Sequence, residues 1–446
     1  MALDRHIKHA VYIFVIALVM RMGALALTFH GNEDVTPFDD AKIAANIVQG
    51  KGYSINLEYK NWLFYTLFLK EKQLIAPLPE GTKPTATKQP IYPLVLALFF
   101  TVFGLNQFVP VFIFQAIAAS LVCGILVVML QKVSQRAALI AGLATAIYPP
   151  FIYHSVTAPE STHLFMLLVA VFILTVTKIR ENPSTSKWLI CGLVAGLMIL
   201  TEPVGLPFAV LSVGYLALFS PGGLRAHAKG VLQAVAVCIL VFSPWLARNY
   251  IVFDRFPVIK GSVGLIINFG LQESGNGTWI SEDKLVELEY LGRSRTELEE
   301  DDAIKQELSR LFPLHWREYV TSNVPQNFMH FVWEIRDYEH NRSASYLLGR
   351  RFPYIIIALF ALPVFFKLAW QVVRSPSVRH STPMPLICAV ILVLTFTGIY
   401  AAFGAYHSRY RFPVELMFIV FFAQSVSYLL APVWNKVLPL PSEASR

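Results

Sequence analysis

Eleven long apolar runs constrain this chain more than any other feature. They lie near residues 11–29, 91–104, 108–130, 137–152, 161–177, 188–201, 204–219, 230–247, 353–373, 384–403 and 412–432. A bilayer's hydrocarbon core is about 30 Å thick, so a spanning helix needs about 20 mostly apolar residues. Backbone groups in lipid must be paired within the segment, which leaves helices or closed barrels. These runs show no strand alternation, so the expected fold is an all-α polytopic membrane protein. Ten runs serve as transmembrane helices, some only when tilted. Run 91–104 has 14 residues and reads as a short re-entrant or interfacial helix. Only 15% of the 446 residues are charged, against about 25% in soluble domains.

Charge orients the spans. With the N-terminus cytoplasmic and run 91–104 not counted as a crossing, the bases of every short loop fall inside. They are Arg5 and Lys8, Lys132 and Arg136, Lys178 to Lys187, Arg225 and Lys229, Lys367 to Arg379, and Lys436. That satisfies the positive-inside bias. It also accounts for the net charge of +8 without nucleic acid. Two large segments, 30–107 and 248–352, then lie outside. The chain divides into an N-terminal transmembrane module (1–247, including outer loop 30–107), an outer segment with amphipathic helices (248–352), and C-terminal transmembrane helices with a short tail (353–446). In the outer segment Thr296 and Glu299 fit a capping box, followed by an apolar stripe of Leu298, Ile304, Leu308 and Leu311. All four cysteines (Cys123, Cys191, Cys238, Cys388) sit in apolar runs and read as small buried hydrophobes. The first run holds Arg21 and lacks a small-residue cleavage site, so it is a retained span. Arg21 is expected to face the bundle interior and pair there.

Ionisable residues against apolar runs are costly and usually functional, and here several share the outer face. In PFDDAKIAANIVQGKGYS (37–54), Thr36 can cap a helix with Pro37 in its first turn. Asp39 there either completes the capping arrangement or serves as a general base above the membrane, made more basic by desolvation. Lys88 precedes the short helix that begins near Ile91, where free amides favour an anion; the alternative is a snorkelling lysine with Tyr92 at the boundary. In YPPFIYHSVTAPE (148–160), Glu160 positions a ligand or simply complements the next helix's dipole. Glu202, in LTEPVG, has a similar structural alternative. A divalent metal on His154 and Glu160 stays open, but the spacing matches no strong motif; no other cofactor is assigned. Arg248, His407, Arg409 and Arg411 lie at outer boundaries. There they either anchor lipid headgroups or bind an anionic ligand such as a lipid phosphate.

These motifs, in this order, resemble the polytopic C-type glycosyltransferases that use lipid-phosphate sugars. The likeness is greatest to bacterial relatives of dolichyl-phosphate-mannose–protein mannosyltransferases and aminoarabinose transferases. FDDAKIAANIVQGKGY, QPIYPLVLALFFTVFG, YPPFIYHSVTAPESTHLFMLL, SPWLARNYIVFDRFPVIKGSVGL and SRYRFPVELMFIVFFA carry the resemblance, over about residues 10–430. By register Asp39 matches the family's first acidic position and Asp40 its second. The chain departs at Ile43, where an aromatic is frequent, and at Glu202, where arginine is common.

The resemblance implies sugar transfer from a polyprenyl-phosphate donor to a hydroxyl of an extracytoplasmic protein, lipid or glycan, with inversion. It assigns Asp39 as base with Asp40 in support. Lys88, Arg248, Arg409 and Arg411 would serve the lipid phosphate, and Glu160, His154 and Tyr92 would position donor or acceptor. It also implies the bacterial inner (plasma) membrane, with the site facing outside. Two other functions fit the spans: a lipid-linked sugar transporter or flippase, and a non-catalytic scaffold of the same fold. A transporter is expected to show internal repeats and polar groups at the midplane; here there is no repeat, and most candidates lie at one boundary.

Overall fold

The computed structural model describes residues 2–56, 81–256, 259–273, 279–280, 284, 296–333, 344–404 and 408–432. His407 lies outside the described residues, as do positions 57–80 and 285–295 of the two outer segments. The protein is a polytopic helical membrane protein. Among the described residues, seven helices are long and apolar enough to cross a membrane. They are the Ile7–Thr28 part of α1 (Ala2–Thr28), α4 (Phe108–Leu130), α7 (Thr162–Glu181), α10 (Gly223–Phe253), the Arg351–Arg374 part of α14 (Ala344–Arg374), α16 (Met384–Phe403) and the Arg409–Leu429 segment containing α17 (Phe412–Leu429).

An eighth crossing results where one bent pair of helices is taken as a single span. Helix α5 (Gln135–Ile147) and helix α6 (Pro149–Thr157) meet at 46°. Pro149 and Pro150 explain the break: they supply no amide donors and push the preceding Tyr148 into extended backbone (φ −68°, ψ 112°). The remaining two of the ten expected spans are 15-residue helices, α8 (Thr185–Ile199) and α9 (Gly205–Phe219). Run 91–104 forms the expected short helix, α3 (Ile91–Phe103).

Two expected boundaries move. Helix α10 runs past residue 247 to Phe253, where Asp254 adopts a left-handed cap (φ 52°). Helix α14 begins before residue 353, at Ala344. The expected cap at Thr36 also gives way. Helix α2 (Asp39–Val48) starts two residues later than Pro37 would allow, with Phe38 in the cap position and no side-chain cap.

The main core joins helices from both halves of the chain and includes Phe172, Phe208, Phe396 and Phe421, all fully buried. Helix α1 packs on α4, α8 on α10, and α14 on α17. A Cβ on Gly192 would collide with the Ala234 carbonyl of α10. Glycine there permits the close backbone approach typical of membrane helices. Arg21 is buried as expected, donating to Ala17 O at 3.0 Å and Ala146 O at 3.3 Å.

The described parts of segments 30–107 and 248–352 are well tied. Helix α2 lies on α3, and its Asn46 donates to Ser54 O at 2.9 Å. Ser54 opens β1 (Ser54–Asn56), which pairs antiparallel with β2 (Thr82–Pro84), Ile55 opposite Lys83. Helix α11 (Val263–Glu273) packs on α12 (Glu297–Glu318). The expected capping box is present: Thr296 Oγ1 accepts from Glu299 N, and Glu299 Oε2 accepts from Thr296 N. The expected stripe is buried at Leu298, Ile304 and Leu308 and half-buried at Leu311. A π-helical turn (Tyr319–Asn323) leads into α13 (Val324–Val332).

Candidate functional site

Helix α2 presents two adjacent carboxylates to different surroundings, because one residue turns a helix by about 100°. Asp39 is half-exposed, whereas Asp40 is only 4% exposed. Lys88 Nζ stands 3.6 Å from Asp40 Oδ2. The first-turn dipole further favours negative charge here. Burial pushes the Asp40 carboxyl above the ordinary aspartate value; Lys88 and Arg409 pull it down, while Glu202 and Asp39 add to the rise. For Lys88, burial works against the charge, but Asp40 and then Asp39 outweigh it and hold the ammonium above the ordinary lysine value.

The bend between α6 and α7 supplies the facing wall. Glu160 is 3% exposed and forms an ion pair with Arg409. Its Oε2 is also 2.8 Å from His154 Nε2. Arg409 is itself 8% exposed and lies over the Tyr410 ring at 5.2 Å. Its Nε has no hydrogen-bond partner among the described residues.

Gln115 organises this corner. It accepts from the Tyr92 hydroxyl and from Glu160 N (3.1 Å). It donates to Ser155 O at 3.0 Å and Ala158 O at 2.9 Å. One side chain therefore fixes α3, α4 and the α6–α7 bend together. Sequence reasoning missed it, although a single amide inside FVPVFIFQAIAAS was the available signal. Tyr92 is fully buried near the start of α3 and touches the site through Gln115.

A pocket opens beside Arg409, lined by Thr162, Glu202, Phe396, Tyr400, Tyr410 and Pro413, among others. Glu202 accepts from Ser161 Oγ at 2.5 Å. Aromatic rings beside a carboxylate and a guanidinium offer both flat apolar faces and strong polar partners, which is how concave sites fix a polar ligand.

The structure does not bring Arg248 or Arg411 into this cluster. Arg248 donates to Tyr53 O (2.8 Å), Thr85 O (2.9 Å) and Asn249 Oδ1 (2.8 Å). Its guanidinium also stacks against Tyr53, Trp245 and Phe253 at 5.2–5.3 Å. It holds together the strands behind Lys88 and contacts Lys88 only through Tyr53, whose hydroxyl donates to Lys88 O (3.0 Å) and Gln89 O (3.1 Å). Arg411 bonds Glu415 at 2.6 Å, lies 4.0 Å over Tyr354, and shares Glu415 with the Tyr148 hydroxyl (2.9 Å). That network pins the bend at Tyr148 to α14 and α17. Sequence places both arginines beside apolar runs, but their carbonyl and ring partners are not visible in it.

For a metal, His154 and Glu160 are bonded to each other. Among the described residues no cluster of three or more histidines, cysteines or acids is suited to an ion. The four cysteines are free thiols, Cys238 half-buried and the other three buried.

Residues 83–247 match the family described as dolichyl-phosphate-mannose-protein mannosyltransferase. A search of curated proteins gives no match. Over 96% of its length the chain superposes on the Archaeoglobus fulgidus oligosaccharyltransferase tethered to an acceptor peptide with the NVT sequon, at TM-score 0.55 and 14% identity. The same oligosaccharyltransferase in complex with zinc and sulfate gives TM-score 0.54 over 95% of the chain. ArnT from Cupriavidus metallidurans, bound to undecaprenyl phosphate, gives 0.51 at 16% identity over 96%. The protein has the C-type glycosyltransferase fold. The chain spans about half the length of the oligosaccharyltransferase and 61% of ArnT. In this C-type glycosyltransferase fold, Asp40, Lys88, Glu160, Glu202 and Arg409 come from five separated stretches and gather at one end of the helices.

Proposed function

We propose that the protein is a membrane glycosyltransferase that moves a sugar from a polyprenyl-phosphate donor to an extracytoplasmic acceptor hydroxyl, with inversion. The observation that carries this reading is the pairing of buried Asp40 with half-buried Lys88 within the field of Arg409. It combines a carboxylate made more basic by burial with two cations available to an anionic leaving group. The fold shared with ArnT, whose structure holds undecaprenyl phosphate, supports the lipid donor.

The sequence register favoured Asp39 as base; the geometry favours Asp40, with Asp39 supporting it electrostatically. Asp40 takes the acceptor's hydroxyl proton. The acceptor oxygen forms a bond to the anomeric carbon from the face opposite the phosphate. The bond between that carbon and the phosphate oxygen breaks, and its electron pair leaves with the polyprenyl phosphate. Negative charge grows on that oxygen, and preorganised cations stabilise it there. Lys88 and Arg409 serve this role. Glu160 and His154 hold Arg409 in place. The acceptor is a protein, lipid or glycan hydroxyl, and the setting is the bacterial inner membrane with the site outward.

The test uses the full chain in liposomes with polyprenyl-phosphate sugars bearing a radiolabelled glycosyl unit and a panel of acceptors. The expected result is labelled acceptor with release of polyprenyl phosphate. Transbilayer movement of the intact donor without cleavage would establish a flippase instead. Neither transfer nor movement, by folded protein across the panel, would leave a scaffold.

A further inference from the structure

We infer that Glu297 is a positioning residue for Lys88, coupling the second outer segment to the donor-phosphate site; the inference rests on the glycosyltransferase reading. Glu297 opens α12, far in sequence from Lys88, and is 2% exposed. Its carboxylate accepts from Thr85 Oγ1 at 2.6 Å, Thr87 Oγ1 at 2.8 Å and Ala86 N at 3.1 Å. All three donors are neutral and belong to the three residues before Lys88. A buried charge is expensive unless fully bonded, and a neutral amide would fill the same space at less cost. What the charge adds is strength, since charge-assisted hydrogen bonds are about twice as strong as neutral ones.

Neighbouring contacts make the clamp two-sided. Glu300 pairs with Lys83 at 2.7 Å, and Asp301 accepts from Gly264 N at 2.6 Å. Gly261 N donates to Ala86 O at 2.7 Å. A Cβ on Gly261 would strike Glu297 Oε1, so a larger residue there would displace the carboxylate. Ser262 adopts left-handed backbone (φ 60°) while its hydroxyl bonds Thr87 Oγ1 at 3.1 Å. A non-glycine residue persists in that region only when its surroundings over-determine it. From the other side Arg248 holds Thr85 O, and the Tyr53 hydroxyl holds Lys88 O. The 85–88 stretch is thus held from two sides, by Arg248 and Tyr53 on one and by Glu297 of α12 on the other, so a displacement of α12 is expected to move the ammonium relative to Asp40.

The experiment is a double-mutant cycle read by binding of polyprenyl phosphate to the full chain in detergent micelles. Glu297→Ala is expected to weaken binding roughly tenfold, in line with losing strong hydrogen bonds to a charge. In the Lys88→Ala background the same change is expected to have no further effect, because coupled residues are non-additive. Thr85→Val removes one donor at nearly constant shape and is expected to repeat the pattern at smaller size, should Glu297→Ala fail to fold. Equal losses with and without Lys88, or no loss in either, would overturn the positioning role while leaving the proposed function intact. Failure of the unaltered protein to bind polyprenyl phosphate would overturn the glycosyltransferase reading and the inference with it.

Discussion

Lys88 reaches Asp40 and leaves its neighbour Asp39 nearer to solvent: the ammonium is 3.6 Å from Asp40 Oδ2. Two carboxylates that look equivalent in FDDAKI thus occupy different media. Asp40→Asn is expected to keep the fold and lose on the order of 100- to 10,000-fold in turnover, the range a positioned base contributes. Asp39→Asn is expected to retain most of the rate. Steady-state transfer by the two purified variants checks this, and the reverse ranking would return the base role to Asp39.

The same carboxylate sets an acid limit on activity. Asp40 must be ionised to accept a proton, and burial raises its pKa above the ordinary 3.8. Activity is therefore present above the raised value and lost as pH falls through it. The acid limb of kcat/KM should lie above the ordinary aspartate value and should shift when Lys88→Ala removes the opposing charge. With the cation gone, the carboxyl pKa rises further and the limb moves to higher pH. A limb that does not move would separate Lys88 from Asp40 in the working enzyme.

Glu160 and Arg409 form a pair that is costly to break singly. Both are buried, at 3% and 8% exposure. Removing one partner strands the other and costs about 3–5 kcal/mol. Glu160→Gln and Arg409→Met should each lower the denaturation midpoint in detergent, and the double variant should recover part of the loss. Strictly additive losses would show that the pair does not act as a unit.

Orientation is testable at two exposed arginines. Arg310 lies on α12 and Arg225 on α10. With Cys238 replaced by alanine and the other three cysteines buried, Arg310→Cys should react with an impermeant maleimide in intact cells or spheroplasts. Arg225→Cys should react only after permeabilisation. The opposite pattern would invert the topology.

Much of the architecture was legible because the bilayer imposes a crude rule on sequence: long apolar runs, with bases at one side. Lys88, Glu160, His154 and Arg409 stood out for the same reason, as charges at a boundary where charge is costly. Gln115 did not, because one neutral amide in a spanning run carries little hydropathic weight, yet it bonds four groups on two other stretches. Arg248 and Arg411 were legible in position and not in role, since their partners are carbonyls and rings brought from distant sequence. Which of the two carboxylates, Asp39 or Asp40, lies beside Lys88 turns on which side of one helical turn faces it. Nothing in the order of residues states that.

Helices α8 and α9 hold Glu202 in the turn between them, and each has only 15 residues. At 1.5 Å per residue each is about 22 Å long, some 8 Å short of a typical hydrocarbon core of about 30 Å. If both cross the membrane, the bilayer must thin around them, at a cost of fractions of a kcal/mol per Å. Acyl-chain length in the surrounding membrane would then control how deep the Glu202 turn, and the pocket it lines, lies beneath the headgroups.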